Sequence, residues 1–331
     1  MTDPFKIRSD VERVACEGFA YPLGVEAAEV RPPDQGYCVT WTEGEADAPD
    51  TYALCVVISH ERLRPLLAEI LSRLPERVMG IVEVGSRDAF RAVDVFLSAK
   101  PIAIDRFLDA WLRFEPIFLE DASLAVGVNT ETPFMEVFID QDKRVTVHVE
   151  PEAKGEIEAI LVRHGLQERD ETDIIVPEEE MEQMEIRPIL VEDPGLICDV
   201  DQLLMLLRYD WLLVLDEDVD RNVDAVGRNL GRTLWHAVIV VEPSDGPPGD
   251  AVYASAWLAA GSRREVEGMV RDCLDGHPAW SFREFYTLDR VAFDDRPEEL
   301  SQLTPGISQS EVFSFIIEDM DDPGGHGVGH G

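Results

Sequence analysis

The chain has 331 residues, of which 45% are hydrophobic, and it carries 67 acidic side chains against 29 Lys and Arg side chains. This length suits two domains of ordinary size, each able to bury a core without disulfide or metal support. The apolar fraction, with only 23 Gly and 21 Pro, excludes collagen, a coiled coil and a wholly disordered chain.

The formal net charge of −38 limits the partners that the chain can bind. Nucleic acid requires a stripe of Lys and Arg to displace counterions, and an anionic membrane surface also requires basic residues. We therefore expect neither as a partner. Strong acidity has two interpretations: a hydrated surface that keeps the protein soluble in a saline environment, or a face that attracts a basic protein partner.

The charge leads to a prediction about stability. The uncompensated negative charge repels itself, so mobile ions that screen this repulsion should stabilise the fold. We expect the thermal midpoint to rise as NaCl increases from low to moderate concentration, and KCl at equal ionic strength to act alike. A midpoint that stays flat would mean that the carboxylates are already well spaced or paired, and would remove the main support for the saline interpretation.

The sequence also predicts the compartment. Residues 1–10 lack the apolar stretch of a signal peptide, and the longest apolar stretches of the chain are too short to span a membrane. The five cysteines are odd in number and widely separated, which argues against a disulfide framework and against a CxxC metal motif. We expect a cytoplasmic protein with reduced thiols.

The first half of the chain begins with a lead-in segment, residues 1–36, whose sequence shows no regular helix or strand pattern. Two strand-like runs, Tyr37–Thr42 and Tyr52–Ile58, then predict a hairpin. Leucines and Ile70 recur at helical spacing over Leu63–Leu74 and predict an amphipathic helix that packs against a sheet. Met79–Val84 follows as a buried strand.

The same order of elements recurs in the second half. Ala237–Glu242 and Val252–Leu258 predict a hairpin, Val266–Leu274 an amphipathic helix begun by a capping box, and Phe282–Thr287 a strand. A third possible copy begins at Met135. The sequence thus suggests a repeated hairpin-helix-strand unit, although every helix that packs on a sheet shows a similar apolar stripe.

The fold class predicted from this order is α+β, with antiparallel or mixed sheets covered by amphipathic helices. We expect two domains, 37–176 and 195–317, joined by an acidic connection over 177–194. Residues 318–331, which are acidic and then rich in Gly and His, are predicted to be a disordered tail.

Aromatic residues are concentrated in the predicted strand Phe282–Thr287. Strand alternation would place Phe282 and Tyr286 on one face and Phe285 on the other. A strand that is apolar on both faces is more often buried than exposed to a partner, so these residues are predicted to lie in the core.

Most catalytic motifs are absent from the sequence. No Gly-Lys pair occurs, which excludes a Walker A loop, and no GxSxG nucleophile elbow is present. No cofactor is predicted.

One group of acids follows the strand-like run Trp211–Leu215. Carboxylates at a strand end can hold a divalent cation, and Asp216, Asp218 and Asp220 are the candidate ligands. The resemblance to a calcium loop fails, because Arg221 stands where the loop needs Gly. The alternative is that Asp216 caps a helix over 217–234, which the helical spacing of Val219, Val223 and Val226 predicts. The following acids would then favour its N-terminal dipole.

The sequence favours a non-enzymatic acidic cytoplasmic protein with a binding or regulatory role and an unknown partner. Two alternatives stay open. One is a divalent-metal-dependent hydrolase or transferase that uses Asp216, Asp218 and Asp220. The other is an acidic mimic of nucleic acid that occupies a basic partner.

Overall fold

The structure, a computed structural model, describes residues 4–27, 32–44, 49–170, 184–193, 195–245, 251–304 and 306–317. These residues form a mixed α+β fold that is mostly sheet, with antiparallel pairing and five α-helices. The predicted α+β class is confirmed at this level.

The elements are as follows. The strands are β1 (Ala15–Cys16), β2 (Phe19–Ala20), β3 (Val25–Ala27), β4 (Gly36–Thr42), β5 (Thr51–Val57), β6 (Arg77–Gly85), β7 (Val93–Ser98), β8 (Ile102–Ala103), β9 (Leu124–Glu131), β10 (Phe134–Ile139), β11 (Val145–Val149), β12 (Met184–Ile186), β13 (Leu213–Leu215), β14 (Thr233–Pro243), β15 (Val252–Ala260), β16 (Trp280–Val291) and β17 (Glu311–Ile317). The helices are α1 (His60–Leu71), α2 (Ile104–Glu120), α3 (Pro151–Arg163), α4 (Val200–Trp211) and α5 (Arg263–Asp275).

The contacts within the chain divide it into two compact units. Unit 1 comprises Met1–Gly85 and Asp94–Asp216, and unit 2 comprises Ser86–Val93 and Glu217–Gly331. Unit 2 is therefore assembled from two separate stretches of chain.

The predicted domain boundaries stay predictions. Within the proposed connection, residues 177–183 and 194 lie outside the described residues, as does the proposed tail 318–331. The described stretch Met184–Ile186 forms β12, which pairs with β3.

Unit 1 contains a nine-stranded sheet. Eight of its strands follow the order β13-β7-β6-β9-β10-β11-β5-β4, and the ninth, β8, pairs with β6 outside this order. The four helices described in this unit, α1 to α4, bury residues in the core that covers one face of this sheet. The stripe predicted over Leu63–Leu74 is confirmed, because α1 buries Leu63, Leu66, Leu67, Ile70 and Leu71. This core is the larger of the two main cores.

The described part of the predicted lead-in belongs to unit 1 and packs against its larger elements. Phe19 and Tyr21 lie in a small cluster with Cys38 of β4. Arg13 forms an ion pair with Glu120 at the end of α2, with 2.6 Å between Nη2 and Oε1. These contacts hold the N-terminal segment to the nine-stranded sheet and to α2.

Helix α4 was not predicted from the sequence. Its N-cap is Asp199, whose Oδ1 accepts a hydrogen bond from Gln202 N at 2.8 Å. Its last residue is Trp211, so the strand predicted over Trp211–Leu215 is shorter and begins only at Leu213. Trp211 is fully buried, and its ring lies 4.6 Å from that of Phe107.

Unit 2 contains a four-stranded sheet with the order β16-β14-β15-β17. Helix α5 covers one face of it and buries Val266, Val270 and Leu274. The predicted helix start is confirmed, since Ser262 Oγ accepts a hydrogen bond from Glu265 N at 3.2 Å. The face opposite α5 is called the open face below.

The proposed repeat is not confirmed. In unit 2, β16 follows α5 and pairs directly with β14 of the preceding hairpin. In unit 1, β6 follows α1, but β9, β10 and β11 separate it from the β4–β5 hairpin. The two segments share an element order along the chain and differ in strand order within the sheet.

A buried ion pair joins the two stretches of unit 2. Arg290 Nε donates to Asp88 Oδ2 at 2.7 Å, and the two side chains are 6% and 0% exposed. Phe90 N donates to the other Asp88 oxygen at 2.9 Å. The Arg290 guanidinium also donates to Asn222 Oδ1 at 3.0 Å. The segment Ser86–Val93 is thereby fixed to β16 and to the loop before β14.

Within the described ranges, no helix combines the length and the apolar character needed to cross a membrane.

Candidate functional site

The three acids that the sequence singles out are all exposed. Asp216 ends unit 1, whereas Asp218 and Asp220 belong to unit 2. Asp220 accepts hydrogen bonds from Arg264 on both carboxylate oxygens, and this contact lowers the pKa of Asp220. Asp218 Oδ1 accepts a hydrogen bond from Asp220 N at 3.0 Å. Asp218 and Asp220 are thus engaged by the protein itself.

The helix predicted over 217–234 is wrong. This stretch is a loop that leads into β14 at Thr233. Asp224 Oδ1 accepts hydrogen bonds from the backbone N–H groups of Val226 and Arg228, at 3.1 and 2.8 Å. Gly227 has a φ of 79°, which ends any helix. Asp and Asn side chains that bond to the nearby backbone favour turns, and here they outweigh the helical spacing of the valines.

The metal hypothesis stays a prediction. Among the residues that the structure describes, no three His, Cys, Asp or Glu side chains converge as a metal site would require. We expect Mg²⁺, Mn²⁺ and Ca²⁺ to give no stoichiometric micromolar binding in isothermal titration, since a cation at Asp220 would have to displace Arg264. Micromolar binding that Asp218→Asn abolishes and the control Asp275→Asn retains would contradict this and establish the site.

The open face of unit 2 carries a groove of about 450 Å³, called the unit 2 groove. On β14, Trp235 and Ala237 are buried in the core with α5, so the alternate residues His236 and Val238 point to the open face. The groove is lined by Arg87, His236, Val238, Tyr253, Tyr286, Thr287, Asp289 and Val291.

Two pairs of aromatic rings lie on this face. His236 stacks on Trp257, its neighbour on β15, with ring centroids 4.3 Å apart and an angle of 22° between the planes. Tyr253 and Tyr286 have centroids 5.2 Å apart. Tyr253 is 43% exposed, so its ring is accessible to a ligand.

A β-bulge places Tyr286 in the groove. Val238 pairs with Thr287 and Ile239 pairs with Phe285, which leaves Tyr286 as the extra residue of β16. A bulge redirects a side chain and changes the alternation of the strand. The predicted sharing of a face by Phe282 and Tyr286 is therefore wrong: Phe282 and Phe285 both pack against the core of unit 2, with rings 5.0 Å apart.

His236 and Ser255 form a hydrogen-bonded pair, with 2.9 Å between Nε2 and Oγ. Burial lowers the pKa of His236, so the imidazole is neutral at pH 7. A neutral His beside Ser resembles a base with its nucleophile. However, Ser255 lies in mid-strand, and β15 is paired on both sides. The backbone of β15 is thus engaged in two ladders, and the hydrogen bond to Ser255 holds the orientation of the His236 ring.

No family model, curated protein or solved structure matches the chain. Its function is therefore inferred from the residues and their geometry.

Proposed function

We propose that the chain is a non-enzymatic binding protein that holds a basic peptide segment of a partner protein in the unit 2 groove. The observation that carries the proposal is the Tyr253–Tyr286 ring pair on the open face of the sheet. The groove volume of about 450 Å³ is within the ordinary range for ligand sites.

Aromatic ring faces bind cationic side chains. The negative face of a Tyr ring attracts a guanidinium or ammonium group by about 0.5 to 2 kcal/mol. The chain already makes such contacts internally: Arg106 lies over the Tyr209 ring at 5.8 Å, and Lys154 lies over the Tyr52 ring at 5.1 Å. In the unit 2 groove, a partner would supply the cation.

The charge of the whole chain favours the same class of partner. Arg87 and Asp289 balance each other in formal charge at the groove, so the net charge of −38 determines the long-range field. A field of this sign raises the association rate of basic partners, and salt reduces the effect.

The two alternatives have less support. A metal-dependent hydrolase would have to release Asp220 from Arg264. A nucleic-acid mimic would act through its carboxylates, and it would have no use for the exposed Tyr253 ring or for the stacked His236 and Trp257.

Fluorescence anisotropy with labelled peptides tests the proposal. We expect a peptide of alternating Arg and Ala to bind saturably, and peptides of alternating Glu and Ala or Gln and Ala not to bind. Tyr253→Ala should weaken binding about threefold to thirtyfold, the loss of one cation–aromatic contact.

Tyr209→Ala is the matched control, because Tyr209 is an exposed tyrosine of unit 1 and is 77% exposed. It should leave the affinity unchanged. Equal weakening by both substitutions, or none by Tyr253→Ala, would show that the groove is not the binding site.

A further inference from the structure

The fold of unit 1 brings two of the five cysteines together. Cys38 of β4 lies directly opposite Cys55 of β5 in the antiparallel pairing of the two strands. Tyr37 and Leu54 are buried in the core with the helices, so strand alternation points Cys38 and Cys55 to the opposite face of the sheet. Both side chains are in the reduced, thiol form. Two residues that are well separated in the sequence thus become neighbours across two strands.

Backbone hydrogen bonds define the kind of pair that the two cysteines form. Tyr37 N donates to Gln167 O at 3.1 Å, and Tyr37 O accepts from Arg169 N at 2.8 Å. Both backbone polar groups of Tyr37 therefore point away from β5. The direction of these groups alternates from residue to residue along a strand, so those of Cys38 point toward β5. Cys38 and Cys55 are thus a hydrogen-bonded pair of the ladder.

The distances in such a pair allow a disulfide but do not favour a relaxed one. The Cα atoms of a hydrogen-bonded antiparallel pair lie about 5.5 Å apart, inside the range of about 4.4 to 6.8 Å that a disulfide spans. Their Cβ atoms lie up to roughly 5.5 Å apart, whereas a relaxed disulfide needs about 3.8 Å. A bond here would draw the two strands together under strain, and strained disulfides are readily reduced again.

The N-terminal segment covers the two cysteines. Phe19 and Tyr21 pack in the same small cluster as the pair. Arg13 holds this segment in place, since its Nη1 donates to Tyr21 O at 2.7 Å and its guanidinium pairs with both carboxylate oxygens of Glu120. Burial raises the pKa of the Cys55 thiol to about 11. Because the thiolate is the form that reacts, the pair stays reduced at neutral pH until an oxidant persists.

We propose that Cys38 and Cys55 form a site of reversible oxidation, at which a peroxide converts the two thiols into one disulfide between β4 and β5. Cys55 is the more exposed of the two, and its thiolate attacks a peroxide oxygen. The O–O bond breaks, hydroxide leaves and takes up the thiol proton as water, and Cys55 becomes a sulfenic acid. The Cys38 sulfur then attacks the Cys55 sulfur, the S–O bond breaks and a second water leaves. The two thiols lose two electrons and two protons, and the peroxide is reduced to two water molecules. The site is independent of the unit 2 groove.

Peptide mapping of the full chain after treatment with hydrogen peroxide tests the proposal. The remaining thiols are alkylated, and digestion after glutamate at Glu43 and Glu45 separates the two cysteines. We expect two peptides joined through Cys38 and Cys55, which dithiothreitol releases, and no bond that involves Cys198. Alkylated thiols at both positions after prolonged treatment, or a bond from either position to another cysteine, would overturn the proposal.

Cys38→Ser tests the order of the two steps. This variant lacks the thiol that resolves the sulfenic acid, so Cys55 should be trapped by dimedone at least about tenfold more than in the unsubstituted chain. Cys198→Ser is the control, and it should still form the bond between the two strands. Equal dimedone labelling of Cys55 with and without the Cys38 thiol would contradict the proposal.

Arg13→Gln tests the cover over the pair. The substitution removes the ion pair with Glu120, so the N-terminal segment should open more often and the disulfide should form severalfold faster. Arg73→Gln is the matched control, because Arg73 is a partly exposed arginine of the same unit that pairs with Glu156. Equal rates of oxidation in the two variants would show that the segment does not protect the cysteines.

Discussion

Replacement of Asp88 by alanine is expected to lower the free energy of unfolding by about 3 to 5 kcal/mol. The substitution leaves the Arg290 guanidinium buried without its carboxylate, which lies 2.7 Å away in the native protein. It also removes the acceptor for Phe90 N. A buried charge without a partner cannot recover its lost hydration, so the cost exceeds that of a single hydrogen bond.

Urea denaturation of the full chain measures this loss. The control is Asp220→Ala, which removes an exposed ion pair with Arg264 and should shift the midpoint little. The double replacement Asp88→Leu and Arg290→Met should recover much of the stability, because no unpaired charge remains. A loss in Asp88→Ala no greater than in the control would show that the ion pair does not hold unit 2 together.

Replacement of Trp211 by alanine is expected to lower the free energy of unfolding by about 3 to 5 kcal/mol, the usual cost of truncating a buried aromatic residue. The Trp211 ring is fully buried and stacks on Phe107. Gly80 of β6 makes room for it, since a Cβ atom at Gly80 would lie 2.8 Å from the ring. The surrounding side chains are therefore fitted to this ring and would leave a cavity without it.

The matched control for Trp211 is Tyr209, an exposed aromatic residue of the same helix. Tyr209→Ala should change the urea midpoint little, because Tyr209 is 77% exposed and its truncation removes little buried surface. Circular dichroism follows both variants without relying on the tryptophan signal. Equal destabilisation by the two substitutions would mean that α4 contributes through its helical propensity and not through the packing of Trp211.

Periodicity predicted the elements whose apolar residues face a single core. The stripe from Leu63 to Leu71 in α1 and the capped start of α5 at Ser262 are both as expected. Periodicity failed over 217–234, where spaced valines resembled a helix. Short-range bonds from Asp224 and the positive φ of Gly227 determine that loop, and neither contributes to a hydrophobic period.

The unit 2 groove was only partly predictable. The predicted hairpin already contains Tyr253 and Trp257, and strand alternation places both on the face away from the core. The position of Tyr286 depends on a bulge, whose location is fixed by pairing with a distant strand.

The origin of unit 2 in two stretches of chain has a consequence for its synthesis. Asp88 emerges from the ribosome about two hundred residues before Arg290, at a typical rate of roughly 5 to 20 residues per second, so unit 2 cannot complete its fold until Arg290 has been synthesised. A fragment beginning at Glu217 would lack the counter-ion of Arg290 and should fold poorly alone. A synthetic peptide spanning Ser86–Val93, added in trans, should restore its folding, and the same peptide with Asp88→Ala should not.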